Sequence, residues 1–311
     1  MTGGNAGDGG WLRPLGLLLL AVTLAVGQPI VVVAVAFGML SFVVPGGGAL
    51  ALVASAIALV LVFLGEPASG LWYIERGWAI VLGGWFAALT LTWPGRPFLL
   101  RGLVALGGGV LSVVAVVTVF DGWERIEALV AQRVEAGLAA TRQVMQGMGN
   151  GDIQAGLMET LATTGEIQGL LFPALLGLSS LAALGVAWWL HVRVNASEGP
   201  ALGPLKEFRF PDPLIWLFIA GITLVLVAGW SVGWGRVGVN LVAFMGALYV
   251  LRGAAVLLFF AGGLSFAGGA LAALAVLLLG PFLAAAAMLV GVGDSWLDLR
   301  ARTPDGGNGS T

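Results

Sequence analysis

Two runs decide the fold: Leu214–Trp230, LIWLFIAGITLVLVAGW, and Val237–Phe260, VGVNLVAFMGALYVLRGAAVLLFF, with a short Gly-rich turn between them. A helix needs about 20 apolar residues to cross hydrocarbon, and both runs approach or exceed that length. A polar approach, Lys206-Glu-Phe-Arg-Phe-Pro-Asp-Pro213, leads into the first run. Its echo comes at the tail, Gly291–Arg302, GVGDSWLDLRAR. Asn240, Tyr249 and Arg252 interrupt the second run, and polar groups at that depth are costly enough to need a reason. These three are the candidate ligand-binding or intramembrane polar residues.

Outward from this stretch the composition is of one kind. Hydrophobic residues make up 59% of the chain and charged residues 10%, with a mean hydropathy of +1.00. A soluble domain needs far more charge to cover its surface. Lipid replaces water around most of these side chains. Transmembrane β-strands would alternate apolar with polar over about ten residues, and runs such as Leu17–Leu20 and Leu277–Leu279 show no alternation. The fold class is therefore all-α, a polytopic helical transmembrane bundle of about eight to ten spans.

Several functions fall away at the same stage. There is no cysteine and one histidine, His191, so a zinc or haem site is not expected, nor any other metal or cofactor. A net charge of −2 argues against nucleic acid as a partner. No Gly-x-Ser-x-Gly, His-Glu-x-x-His or phosphate-cradling loop with a following Lys appears, and no catalytic residue is assigned. The chain is read as no enzyme. The fifty glycines are expected where transmembrane helices approach closely.

Residues 1–10 read as a disordered N-terminus, 11–302 as the transmembrane domain and 303–311 as a disordered tail. Arg13 followed by Leu15–Val26 has the form of a signal-peptide core. A second apolar run, Ile30–Val44, directly behind it makes two short helices split at Gln28-Pro29 the simpler reading. Ala49–Leu64, Leu71–Trp93 and Phe98–Phe120 are the next spans. The clusters Arg96/Arg101 and Arg193/Lys206/Arg209 should be cytoplasmic. Between them, Asp121–Gly169 carries seven acids and three arginines, a local charge of −4. Trp123, Ile126, Val130, Val134, Leu138, Thr141, Met145 and Met148 recur at helical spacing there. The segment 121–169 is expected to be an extracytoplasmic amphipathic helical pair, broken at Gly149-Asn-Gly151, with Asp121 as N-cap. It should act as a cap packed on its own bundle. Span six is Leu170–Leu190, with His191 at the interface. The last run, Leu264–Val292, is divided at Gly280-Pro281, and the basic tail favours two short halves.

Within the second run Asn240 and Arg252 stand about 18 Å apart along a helix, too far to form one site. Arg252 is expected to pair with Asp294 or Asp298 and lock this span to the C-terminal segment; the rival reading is that it holds an anionic ligand. Adjacent Glu75 and Arg76 point to different sides of their helix and should have separate partners.

Four pieces carry a family resemblance: Phe172-Pro-Ala-Leu-Leu, Phe208-Arg-Phe-Pro-Asp-Pro-Leu-Ile-Trp216, Asn240 through Tyr249-Val-Leu-Arg-Gly253, and Gly293-Asp-Ser-Trp-Leu-Asp-Leu-Arg300. In that order they resemble the YybS-like bacterial membrane proteins, whose domain has no known function. Through that family the chain is distantly similar to the substrate-binding subunits of energy-coupling-factor transporters and to the rod-shape protein MreD. The resemblance implies a small helical bundle in the cell (inner) membrane. It also implies a possible contact of Ala21 and Ala25 with a membrane-protein partner, by analogy with the Ala-x-x-x-Ala of those transporter subunits. The lipid bilayer is the expected environment. A non-enzymatic scaffold or regulatory protein is the leading expectation, and a small-molecule-binding or transport component is the alternative.

Overall fold

The computed structural model describes residues 12–23, 28–44, 48–64, 70–146, 151–195, 202–230, 233–262 and 266–301. Among these residues there are ten α-helices, two short 3-10 turns and no strand. Among the described residues, four helical stretches are long and apolar enough to cross a membrane: Phe98–Val119, Thr163–Val194, Trp234–Phe260 and Leu278–Leu297. The chain is a helical membrane bundle in two compact units, Met1–Leu202 and Gly203–Thr311.

The first unit holds α1 (Leu12–Thr23), α2 (Pro29–Val43), α3 (Ala49–Phe63), α4 (Gly70–Thr92), α5 (Phe98–Val119), α6 (Trp123–Gln146) and α7 (Gly151–Val194). Pro29 starts α2, where a missing N–H costs nothing, and Val44 turns extended ahead of Pro45, as a residue before proline does. The 15-residue α2 is only about 22 Å long. It is buried along most of its length and packs against α3, α4 and α7. Val35, Leu40, Leu82, Phe86 and Leu184 fill this core. Indole N–H groups tie the helices together: Trp78 Nε1 donates to Ser180 Oγ at 2.9 Å, and Trp85 Nε1 to Ser112 Oγ at 3.0 Å. Such bonds matter more where no water competes for the donor.

Two expectations for the insert change here. The second amphipathic segment is not a separate helix: it continues through residue 169 into span six as one 44-residue helix, about 66 Å long. Nothing around Gly169-Leu170 breaks a helix, and Pro173 is accommodated inside it. Asp121 is no N-cap either. Its φ of +48° places it in the left-handed turn between α5 and α6, with Ile126 N–H donating to Gly122 O. The start of α6 does pack on the unit itself, Ile126, Leu129 and Val130 facing Phe172 and Leu176 of α7. The side chains of Val134, Leu138, Thr141, Met145 and Met148 lie outside the described residues.

The second unit holds the 3-10 turns Leu205–Glu207 and Asp212–Leu214, then α8 (Ile215–Ala228), α9 (Trp234–Phe260) and α10 (Phe266–Leu297). Close backbone approach fixes its register. A Cβ on Gly238 would press on Gly221 O at 2.7 Å, so α8 runs antiparallel to the first half of α9. Cβ atoms on Gly253 and Gly291 would overlap the carbonyls of Ala287 and Tyr249, so α10 runs antiparallel to the second half. The run expected to divide at Gly280-Pro281 does so: Leu279 is non-helical (φ −125°, ψ 20°), and two helical halves of α10 meet there at a kink. Proline removes a backbone donor and bends the helix there.

Candidate functional site

The antiparallel pairings bring the start of α8 and the end of α10 to the same level, halfway along α9. The polar approach and the polar tail therefore meet over Tyr249 and Arg252. These two are three residues apart and share a face of α9.

Arg252 is buried. Its Nε donates to Asp294 Oδ2 at 2.9 Å, and its Nη1 to Asp212 Oδ1 at 2.8 Å and Phe210 O at 3.4 Å. Asp294 Oδ2 also accepts Arg300 Nη2 at 2.9 Å. Arg300 Nη1 reaches back to Lys206 O at 3.0 Å and Phe208 O at 3.3 Å. Arg209 pairs with Asp298. The Phe210 ring packs edge-on to Tyr249 at 5.1 Å, with the Arg252 Cζ 5.3 Å from its centroid. Phe218 closes the other side of Tyr249 at 5.6 Å.

Two guanidiniums thus face two carboxylates, and the cluster is neutral. Asp294 side-chain exposure is 0% and that of Arg252 is 3%, against 63% for Asp212. Charges so deep persist only when paired and hydrogen-bonded. The geometry holds three separate stretches of chain in one register, as a clasp does. Beside it Asp212, Pro213, Ile215, Trp216, Ser295 and Trp296 line a wide cleft of about 370 Å³.

Of the three residues singled out by sequence, Tyr249 and Arg252 come together and Asn240 does not. Asn240 donates its amide to Arg236 O of its own helix at 2.9 Å. Between the two candidate acids, Asp294 meets Arg252 and Asp298 is taken by Arg209. Sequence reasoning missed Asp212 and Phe210. The available signal was Pro-Asp-Pro at 211–213, a carboxylate fixed between two prolines at the mouth of an apolar run.

The first unit places the remaining singled-out residues. Arg76 caps α3: its Nη2 and Nε donate to Val62 O at 2.7 and 3.1 Å, and its Nη1 to Trp72 O at 3.2 Å. A cation at a helix C-terminus also meets the favourable end of the dipole. Glu75 lies in the wall of a narrow cavity of about 70 Å³, with Gln28, Ile74, Trp78 and Ser179. His191 is buried and stacked on Trp188 at 5.7 Å, and accepts Asn195 Nδ2 on Nδ1 at 3.0 Å. Ala21 is wholly buried, and α1 packs on α7; Ala25 lies outside the described residues.

Helices of this length and apolarity, carrying a neutral buried ion-pair cluster, define a helical integral membrane protein. The chain belongs to the DUF2232 family of predicted membrane proteins, whose family model matches residues 15–295. No curated protein and no solved structure matches it.

Proposed function

We propose that this chain is a non-enzymatic scaffold or regulatory protein, spanning the bacterial inner membrane several times, whose helix faces and polar ends engage other membrane proteins. The observation that supports this reading most is the clasp. Arg252, the charge best placed to hold an anionic solute, is spent on Asp294, Asp212 and Phe210 O. The narrow cavity of the first unit, at about 70 Å³, is well short of the roughly 300 Å³ that a drug-sized ligand needs. A scaffold needs a fixed shape, and paired buried charges fix one.

A second reading, a small-molecule-binding or transport component, is favoured by one feature. Two helix ends converge beside a cleft of about 370 Å³ halfway along a spanning helix, a location where transporters hold their ligands. The two readings part in native mass spectrometry of protein released from its own membranes. The scaffold reading expects a defined complex with another membrane protein and no bound solute. A stoichiometric small molecule, lost when Arg252→Lys leaves the protein folded, would transfer the assignment to the second reading.

A further inference from the structure

Arg101 stands in the first turn of α5 and is 3% exposed. Its Nε and Nη1 are buried and have no hydrogen-bond partner among the described residues. The guanidinium is surrounded by rings. Its Cζ lies 4.3 Å from the Trp188 centroid and 5.9 Å from that of Phe86. Phe86 in turn meets Phe98, the first residue of α5, edge-on at 5.7 Å. His191 stacks on the Trp188 ring at 5.7 Å. Aromatic faces attract a cation but do not replace the oxygen acceptors that its N–H groups require.

The position adds a second demand for negative charge. The N-cap of α5 is Pro97, with no side-chain cap, so the first-turn N–H groups lack the usual acceptor. The positive end of the helix dipole then lies beside a buried cation, and the two oppose each other. Arg96, on the link before α5, and Arg193, in the last turn of α7, are exposed. Neither supplies an anion. One oxyanion would answer both demands, accepting from Arg101 and from the open helix end.

We propose that Arg101 and the N-terminus of α5 form a binding site for a phosphate group. The phosphodiester of an acidic lipid headgroup and free inorganic phosphate share the required chemistry, and the experiment separates them. Purified full-length protein, delipidated in a neutral detergent, is unfolded thermally while phosphatidylglycerol, phosphatidylcholine or inorganic phosphate is titrated in at constant ionic strength. Saturable stabilisation by phosphatidylglycerol over phosphatidylcholine identifies a lipid headgroup as the source; stabilisation by inorganic phosphate alone identifies a soluble anion. Arg101→Met weakens the affinity for whichever anion binds by about ten- to a hundredfold, whereas Arg96→Gln, at an exposed position, changes it by only about twofold. With no anion present the order reverses, and Arg101→Met is at least as stable as wild type because the unpaired buried charge is gone. Wild-type protein that gains nothing from either anion overturns the proposal, as does folded Arg101→Met that binds like wild type. If Arg101→Met does not fold, the wild-type titration decides together with Arg101→Lys, for which weakened binding supports the site and unchanged binding overturns it.

Discussion

Replacing Arg252 by Met removes the guanidinium while keeping most of the apolar stem. The structure sets the size of the effect. Two ion pairs are lost, but they are unequal. Asp212 is 63% exposed, so its share is that of a surface pair, about 0–1 kcal/mol. Asp294 is completely buried, and removing one partner of a buried pair costs about 3–5 kcal/mol. Arg300 still reaches Asp294 Oδ2 at 2.9 Å, which holds the loss to the lower part of that range, about 3 kcal/mol. Asp294→Asn should cost as much or more, since two arginines then lose their carboxylate. Asp212→Asn should cost less than about 1 kcal/mol. The assay is reversible unfolding in mixed micelles, with the Arg252→Met/Asp294→Asn double variant closing the cycle. A coupling of about 1–3 kcal/mol is expected. Equal losses at Asp212 and Asp294, or a coupling near zero, would refute the reasoning that burial makes Asp294 the partner that matters.

Three further outcomes follow from the packing. Gly253→Ala puts a methyl group against the Ala287 carbonyl and should destabilise by about 1–3 kcal/mol, whereas Gly77→Ala, with open space around it, should be neutral or gain up to about 1 kcal/mol; thermal unfolding of the pair checks the contrast. Arg76→Met strips the cap from Val62 O and should cost about 1.5–3 kcal/mol, read as a lower midpoint in thermal unfolding. Trp78→Phe leaves the buried Ser180 hydroxyl without its indole donor, a loss of about 1 kcal/mol in the same unfolding assay.

Membrane character and helical class were legible because hydropathy acts over whole segments and needs no tertiary information. The break at Gln28-Pro29 was legible for a local reason, proline chemistry. The unbroken α7 was not, because its polar first half and apolar second half read as two objects although nothing between them ends a helix. The kink at Leu279 shows the converse: Gly-Pro marks a disturbance, and whether a helix bends or stops there is decided by what packs around it. Within the site, Arg252 advertised itself by its depth in an apolar run. Of its partners, Asp294 was legible as one of two acids in the polar tail and Asp212 was not; they stand 42 and 40 residues away in sequence and are brought in by glycine contacts on either half of α9. Arg101 read as one more inner-side charge, since composition does not report that a charge near a helix end is buried among rings.

The central claim is that the start of α8 and the end of α10 meet halfway along α9. The chain has no cysteine, so introduced pairs are the only thiols present. Trp216 and Trp296 line the same cleft, and Trp216→Cys/Trp296→Cys should be joined within one chain by a short bis-maleimide in native membranes. Trp216→Cys/Phe260→Cys, about 20 Å apart along α9 by helical rise, should not be joined. Linkage of the second pair without the first would contradict the account.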